Sequence, residues 1–196
     1  LNQRDIFIIP KGIETERFSC KDEEDFRKRL NLDPGCFLIG FLGRFMSQKG
    51  FKYLIDAVEI LNREYELPRK PIVLAFGDEG YVREERQAVK ERGLEASILF
   101  QPFMPNVAST LKGLDLLVMP SLWEACGLLA MEAMVAGIPV VGTDCLGLRE
   151  VLAGTPSVMV PSKDSRALAD ALYHEMLSPS KDRAKAFQKE AVERFD

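Results

Sequence analysis

Two stretches of the 196-residue sequence carry side chains suited to holding an anion. The first, Gly43-Arg44-Phe45-Met46-Ser47-Gln48-Lys49-Gly50, sets two cations and two glycines between a predicted strand and a predicted helix. An anion placed there would meet Arg44, Lys49, the unpaired amides at the helix start and the positive end of its dipole, a combination suited to a phosphate or diphosphate. A solvated turn explains the same residues without a ligand, and the loop is neither a Walker loop nor a GxGxxG fingerprint.

The second stretch runs from Ser121 to Met134. Every side chain between Gly127 and Gly137 is apolar except Glu132, and a helix that is apolar all round is a buried one. A buried carboxylate without a partner costs several kcal/mol, so Glu132 is expected to face a cation, a polar ligand or a cavity open at the sheet edge. Glu124 precedes the helix and can face the same crevice as its free amides. Two carboxylates so placed can accept hydrogen bonds from the hydroxyls of a ribose and of a sugar, while the amides near Gly127, Leu128 and Leu129 face a phosphate. The competing structural readings are a helix cap for Glu124 and a salt bridge for Glu132. Coincidence with the cationic loop at one sheet edge favours a ligand site.

Three further loops end at that edge. Gly77-Asp78-Glu79-Gly80 and Gln101-Pro102-Phe103-Met104-Pro105-Asn106 could shape a nucleobase pocket, with Phe103 or Met104 supplying apolar contact, although turn chemistry also accounts for their Gly, Pro and Asn. Thr143-Asp144-Cys145-Leu146-Gly147 leads to Leu148-Arg149-Glu150 and could touch a sugar, although a plain helix start is the simpler account.

Positioning these loops requires a sheet with its ligand at the carboxyl ends of the strands. Short apolar runs at Phe37–Leu42, Ile72–Phe76, Ile98–Phe100, Leu114–Met119, Pro139–Gly142 and Ser157–Val160 have the continuity of strands buried on both faces. They alternate with helix patterns at Phe51–Tyr65, Val82–Arg92, Val107–Lys112, Leu128–Ala136, Leu148–Leu152 and Arg166–Met176. A polar helix is expected at Glu23–Leu30 and a C-terminal one over 180–196. Right-handed crossovers then give an α/β fold, a doubly wound, Rossmann-like parallel sheet of about six strands with helices on both faces.

Bulk composition narrows the function classes. Thirty acidic and 26 basic residues, a net charge of -4, argue against a broad nucleic-acid surface. No apolar run approaches the roughly 20 residues that span a bilayer. Cys20, Cys36, Cys126 and Cys145 show no zinc or disulfide spacing, so reduced thiols in a cytoplasmic setting are expected, and no Asp-x-Asp pair is placed to hold a metal, so neither metal nor cofactor is expected. His174 falls in a charged helix pattern that suits a solvated side chain. The abrupt start at Leu1 and the end at Asp196 in mid-helical pattern suggest a piece of a longer protein.

The residues resemble the C-terminal domain of family-four retaining glycosyltransferases with the GT-B fold, over nearly the whole chain. Ile9-Pro10-Lys11-Gly12-Ile13-Glu14 with Phe18 resembles the interdomain linker, and Gly43-Arg44 to Lys49-Gly50 the diphosphate loop. Pro120-Ser121 leads into a Glu-seven residues-Glu motif, Glu124 to Glu132, followed by Ala133-Met134 and Ala136-Gly137-Ile138-Pro139-Val140-Val141. The resemblance implies a single donor-binding domain over 1–196, with 1–18 as linker and opening strand and the acceptor domain elsewhere. By similarity Arg44 and Lys49 bind the diphosphate and assist its departure, Glu132 binds the ribose, and Glu124 binds the donor sugar. Cys126, Gly127, Leu128 and Leu129 form a sugar and phosphate loop. The implied partners are a nucleoside-diphosphate sugar, the protein's own N-terminal domain and a glycan, lipid or small-molecule acceptor, with membrane contact only through that other domain. Cys126 stands where an aromatic is common, and Leu146 where many members have glycine, which weakens the sugar contact by that loop. A non-catalytic nucleotide-sugar-binding module and a GT-B epimerase remain as rivals. A phosphorylase would need a pyridoxal lysine motif, and a dinucleotide oxidoreductase a GxGxxG turn that Gly40-Phe41-Leu42-Gly43 does not supply.

Overall fold

A computed structural model describes residues 11–19, 23–77 and 80–196. Among them six strands, β1 (Phe37–Leu42), β2 (Pro71–Phe76), β3 (Ile98–Gln101), β4 (Leu116–Met119), β5 (Val140–Thr143) and β6 (Val158–Val160), form one sheet in the order β3-β2-β1-β4-β5-β6. All neighbours are parallel, Phe37 facing Pro71 and Leu42 facing Phe76 across β1 and β2. The expected doubly wound α/β sheet is therefore the observed one. The order in which successive strands are added reverses between β1 and β4, where a crevice opens at the carboxyl edge in folds of this kind.

Strand runs are continuous in apolar residues because both faces are covered. Alternate β1 side chains go to opposite layers. Phe37, Ile39 and Phe41 pack with Leu54, Ile55 and Val58 of α2 (Phe51–Glu64) and Leu172 of α7 (Ser165–Leu177). Leu38 joins Met131 and Met134 of α5 (Leu128–Val135) and Phe187 of α8 (Lys181–Phe195) on the other face. α3 (Val82–Glu91) buries only Val89 of its ten residues, in keeping with its charged sequence.

Local chemistry sets the element ends. Asn106 accepts from the Ser109 amide at 3.1 Å and caps α4 (Val107–Lys112), and Asp164 does the same for α7 through the Ala167 amide. The polar helix expected over Glu23–Leu30 shrinks to α1 (Phe26–Arg29), because Asp25 caps it and Asn31 at φ 50° ends it one turn later. The helix expected from Leu148 begins at Arg149 as α6 (Arg149–Leu152).

The first ten residues, and with them most of the expected opening strand, lie outside the described residues. The rest of that segment holds a 3-10 helix at Thr15–Phe18 and no strand. It is tied to the end of α8: the Ile13 amide donates to the Phe195 carbonyl at 2.8 Å and Thr15 Oγ1 to Asp196 Oδ1 at 2.6 Å. No helix among the described residues is long and apolar enough to cross a membrane.

Candidate active site at the sheet switch point

The cationic loop is held by its own aromatic residue. Phe45 is fully buried and packs against Phe41, Phe51 and Phe100 with ring centroids 5.0 to 5.6 Å apart. Its backbone bridges Gly80 and accepts the Tyr81 amide at 2.6 Å, so the loop after β1 leans on the loop after β2. Sequence reading weighed only the cations and glycines here and missed Phe45. Its single apolar side chain between Arg44 and Met46 was the available signal.

On the other side the same loop is fastened across the switch point to the loop after β4. The Leu122 amide donates to the Gln48 carbonyl at 2.7 Å. Gly50 takes φ 68° with the Pro120 carbonyl oxygen 1.9 Å from where a Cβ would stand, so only glycine lets the two loops meet. Lys49 Nζ donates to Glu124 Oε1 at 2.8 Å.

These fastenings leave a cavity of about 560 Å³ at the carboxyl edge, lined by Leu42, Gly43, Arg44, Lys49, Phe76, Gly77, Phe103, Met104, Val107, Leu129 and Glu132. The structure thus brings together both loop cations, the helix carboxylate and the two apolar residues after β3. Phe103, one of the lining residues, is 62% exposed. Asp78 and Glu79 lie outside the described residues.

Glu132 sits on the cavity side of α5, where among the described residues nothing hydrogen-bonds its carboxylate. Burial pushes its carboxyl above the usual carboxylate range, and the Arg17 charge pulls it back in part. The expected partner is therefore open space. The salt-bridge reading of Glu132 fails on this geometry.

Glu124 behaves otherwise. It is 8% exposed and does not line the cavity; Oε1 accepts from both Lys49 Nζ and Ser121 Oγ, the latter at 2.7 Å. It is an ion-pair partner, which corrects both the helix-cap reading and the placement of its carboxylate as a second wall of the crevice. Oε2 has no partner among the described residues, yet is not sealed from solvent.

The expected sugar and phosphate loop divides. Leu129 lines the main cavity, whereas Cys126 lines a separate hollow of about 260 Å³ with Gly147, Glu150 and Arg194. Gly127, at φ 62°, starts α5, and Leu128 is 37% exposed. The amides of Leu128 and Leu129 have no acceptor among the described residues, as the first turn of a helix dictates. Leu146 turns its side chain outward, 59% exposed, while its carbonyl accepts the Glu124 amide at 3.2 Å. Backbone contact at this loop survives the missing glycine, with Gly147 backed against the Glu124 carbonyl, 2.1 Å from a would-be Cβ.

A doubly wound sheet with two cations, a lone carboxylate and apolar residues around its switch-point cavity is shared by several nucleotide-binding families, and the whole-chain match decides among them. Residues 22–194 fit the family model for glycosyl transferases group 1. The chain belongs to this family. It is 33% identical over 175 residues to the lipopolysaccharide core biosynthesis mannosyltransferase LpsB of Rhizobium meliloti, covering 84% of this chain and 48% of that protein. It is similar in structure to Anabaena HepE in complex with UDP and glucose, with a TM-score of 0.81 and 26% identity over 94% of this chain and 52% of the other. The C-terminal domain of the group 1 glycosyl transferase LpcC from Francisella tularensis matches with a TM-score of 0.74 and 27% identity over 93% of this chain and 97% of the other. The chain spans about half the length of the curated relatives it matches. Within this member of the family, the region before residue 22 lies outside the family match, although its described part packs on the same core.

Proposed function

We propose that the chain is the nucleotide-sugar-binding half of a retaining hexosyltransferase. The observation that supports the reading is the switch-point cavity, whose lining includes Arg44, Lys49, Glu132, Phe103 and Met104. A nucleoside diphosphate satisfies each of these groups. The base rests on Phe103 and Met104, the ribose hydroxyls donate to Glu132, and the phosphates meet the two cations and the free amides of Leu128 and Leu129. LpcC supports the assignment to a C-terminal half, since that domain is matched over nearly all of its length. HepE in complex with UDP and glucose supports a nucleotide-sugar donor.

In the reaction the bond between the anomeric carbon and the diphosphate oxygen breaks, and an acceptor hydroxyl takes the glycosyl group with retained configuration. Charge grows on the departing diphosphate. Lys49, held by its bond to Glu124, and Arg44 offset it, an effect worth a few kcal/mol per donor. Glu124 Oε2, without a hydrogen-bond partner among the described residues, is the acceptor we assign to a donor-sugar hydroxyl. Cys126 and Gly127 stand one step behind the phosphate amides. The scheme needs no metal or cofactor. The acceptor, a glycan, lipid or small molecule, binds to an N-terminal domain beyond this chain, which also carries any membrane contact of an otherwise cytoplasmic protein.

Calorimetric titration with UDP, GDP and ADP tests the reading. One of them is expected to bind saturably, and both Glu132→Ala and Lys49→Ala are expected to weaken it about tenfold or more. The chain by itself is expected to show little or no transfer. Failure of all three nucleotides to bind, or binding indifferent to both substitutions, would overturn the assignment.

A further inference from the structure

Ser121 follows β4 and Pro120 and is 2% exposed. A buried hydroxyl has one proton to place, and Ser121 gives it to Glu124 Oε1, the oxygen that also receives Lys49 Nζ. Ser121 is itself held from β5 and the loop beyond β6. Thr143 Oγ1 and Ser162 Oγ, the latter at 3.4 Å, both donate to its carbonyl. Thr143 is 3% exposed, so the anchor is inside the protein. A chain of hydrogen bonds therefore runs from Thr143 through Ser121 to Glu124 and ends on the ammonium of a cavity-lining lysine.

Its effect is geometric. Lys49 has a long, flexible stem, and Glu124 adds rotatable bonds of its own. With the Ser121 proton in place, the shared carboxylate oxygen is pinned between a rigid donor and a mobile one. Without it, the two flexible side chains restrain only each other. An ammonium that must meet a diphosphate gains affinity from being placed beforehand.

We propose that Ser121 is a positioning residue of the donor site, whose hydroxyl fixes the Glu124 carboxylate and, through it, the Lys49 ammonium. The proposal rests on the donor-site reading above. It differs from a general bracing role in one respect, because the effect of Ser121 on ligand affinity must pass through the Glu124 carboxylate.

A binding cycle on the 196-residue chain tests this. Affinity for UDP, GDP and ADP is measured calorimetrically for the wild type, Ser121→Ala, Glu124→Ala and the double variant, with urea unfolding run beside it to establish that each is folded. Ser121→Ala is expected to weaken the bound diphosphate about tenfold, the scale of one charge-assisted hydrogen bond. In the Glu124→Ala background, where the side chain that Ser121 fixes is gone, the same substitution is expected to change affinity by less than about twofold. Equal losses in both backgrounds would show a bracing role and overturn the proposal, as would a Ser121→Ala chain that binds like the wild type. A wild type that binds none of the three overturns the donor-site reading and the positioning role with it.

Discussion

Removing Lys49 should destabilise the free protein as well as its complex, and by more than removing the charge of its partner does. At the observed 2.8 Å, two unit charges attract by roughly 6 kcal/mol for an effective dielectric near 20 and by roughly 1.5 kcal/mol in bulk water. Desolvation offsets most of this. The Lys49 side chain keeps 25% of its exposure and that of Glu124 only 10%, so the carboxylate bears the larger burial cost and depends more on the pair. Fully buried pairs lose about 3–5 kcal/mol when one partner is deleted. Here Glu124 retains the Ser121 bond, and Lys49→Met is expected to cost about 2 kcal/mol. Glu124→Gln keeps an acceptor for Ser121 and leaves an ammonium that can reach water, so it should cost about 1 kcal/mol. Urea unfolding of the wild type, both single variants and the double variant at neutral pH and low salt gives the coupling directly, expected at about 1–2 kcal/mol. A coupling below about 0.5 kcal/mol, or a Glu124→Gln cost exceeding that of Lys49→Met, would refute the account of Glu124 as the dependent partner.

Three further outcomes are expected. Burial raises the Glu132 pKa above its unfolded value, so the proton is held more tightly in the folded chain, and the stability this confers is present at low pH and lost as pH rises through the elevated pKa. Glu132→Gln should therefore gain relative to the wild type as pH rises above the ordinary glutamate range, and urea midpoints that stay parallel from below that range to above it would contradict it. Gly50→Ala should cost about 3 kcal/mol or more, from the positive φ together with the collision at the Pro120 carbonyl, and a midpoint within about 1 kcal/mol of wild type would exclude the close approach. Phe45→Ala should cost about 4 kcal/mol in the same assay by emptying the aromatic cluster beneath the cationic loop, and it should weaken nucleotide binding as well.

Much of the sheet was legible because a strand covered on both faces has no polar alternative to its apolar run. Phe37–Leu42 has the expected bounds, and the other runs shift by a residue or two. β4 shows why ends are harder. The apolar run begins at Leu114, but Asp115 intervenes, its carboxylate accepting the Leu38 amide at 2.8 Å and pairing with Arg27, and the ladder starts only at Leu116. That contact joins residues 77 positions apart, and no local pattern announces it. The shortened α1 has the opposite origin. Both of its stops, Asp25 and Asn31, were visible in the sequence, and the polar periodicity around them was given too much weight.

The two glutamates of the Glu124–Glu132 motif mark how far spacing carries a site. Composition alone required Glu132 to face something polar, since no neighbour within its helix could satisfy it, and the structure puts it on a cavity. Nothing comparable constrained Glu124. Its helix-entry position allowed a cap, a wall of the crevice or an ion pair, and the choice was made by Gly50, which lets the loop after β1 press against Pro120 closely enough for Lys49 to reach across. A cation and a carboxylate that each suit a ligand also suit one another, so a sequence rich in such groups predicts a site more readily than it predicts the site's resting state. The pairing has a chemical consequence. An arriving diphosphate meets an ammonium already engaged by Glu124 and takes up its remaining N–H donors. Arg44, exposed and lining the same cavity, is then the cation that can give the incoming charge its first contact.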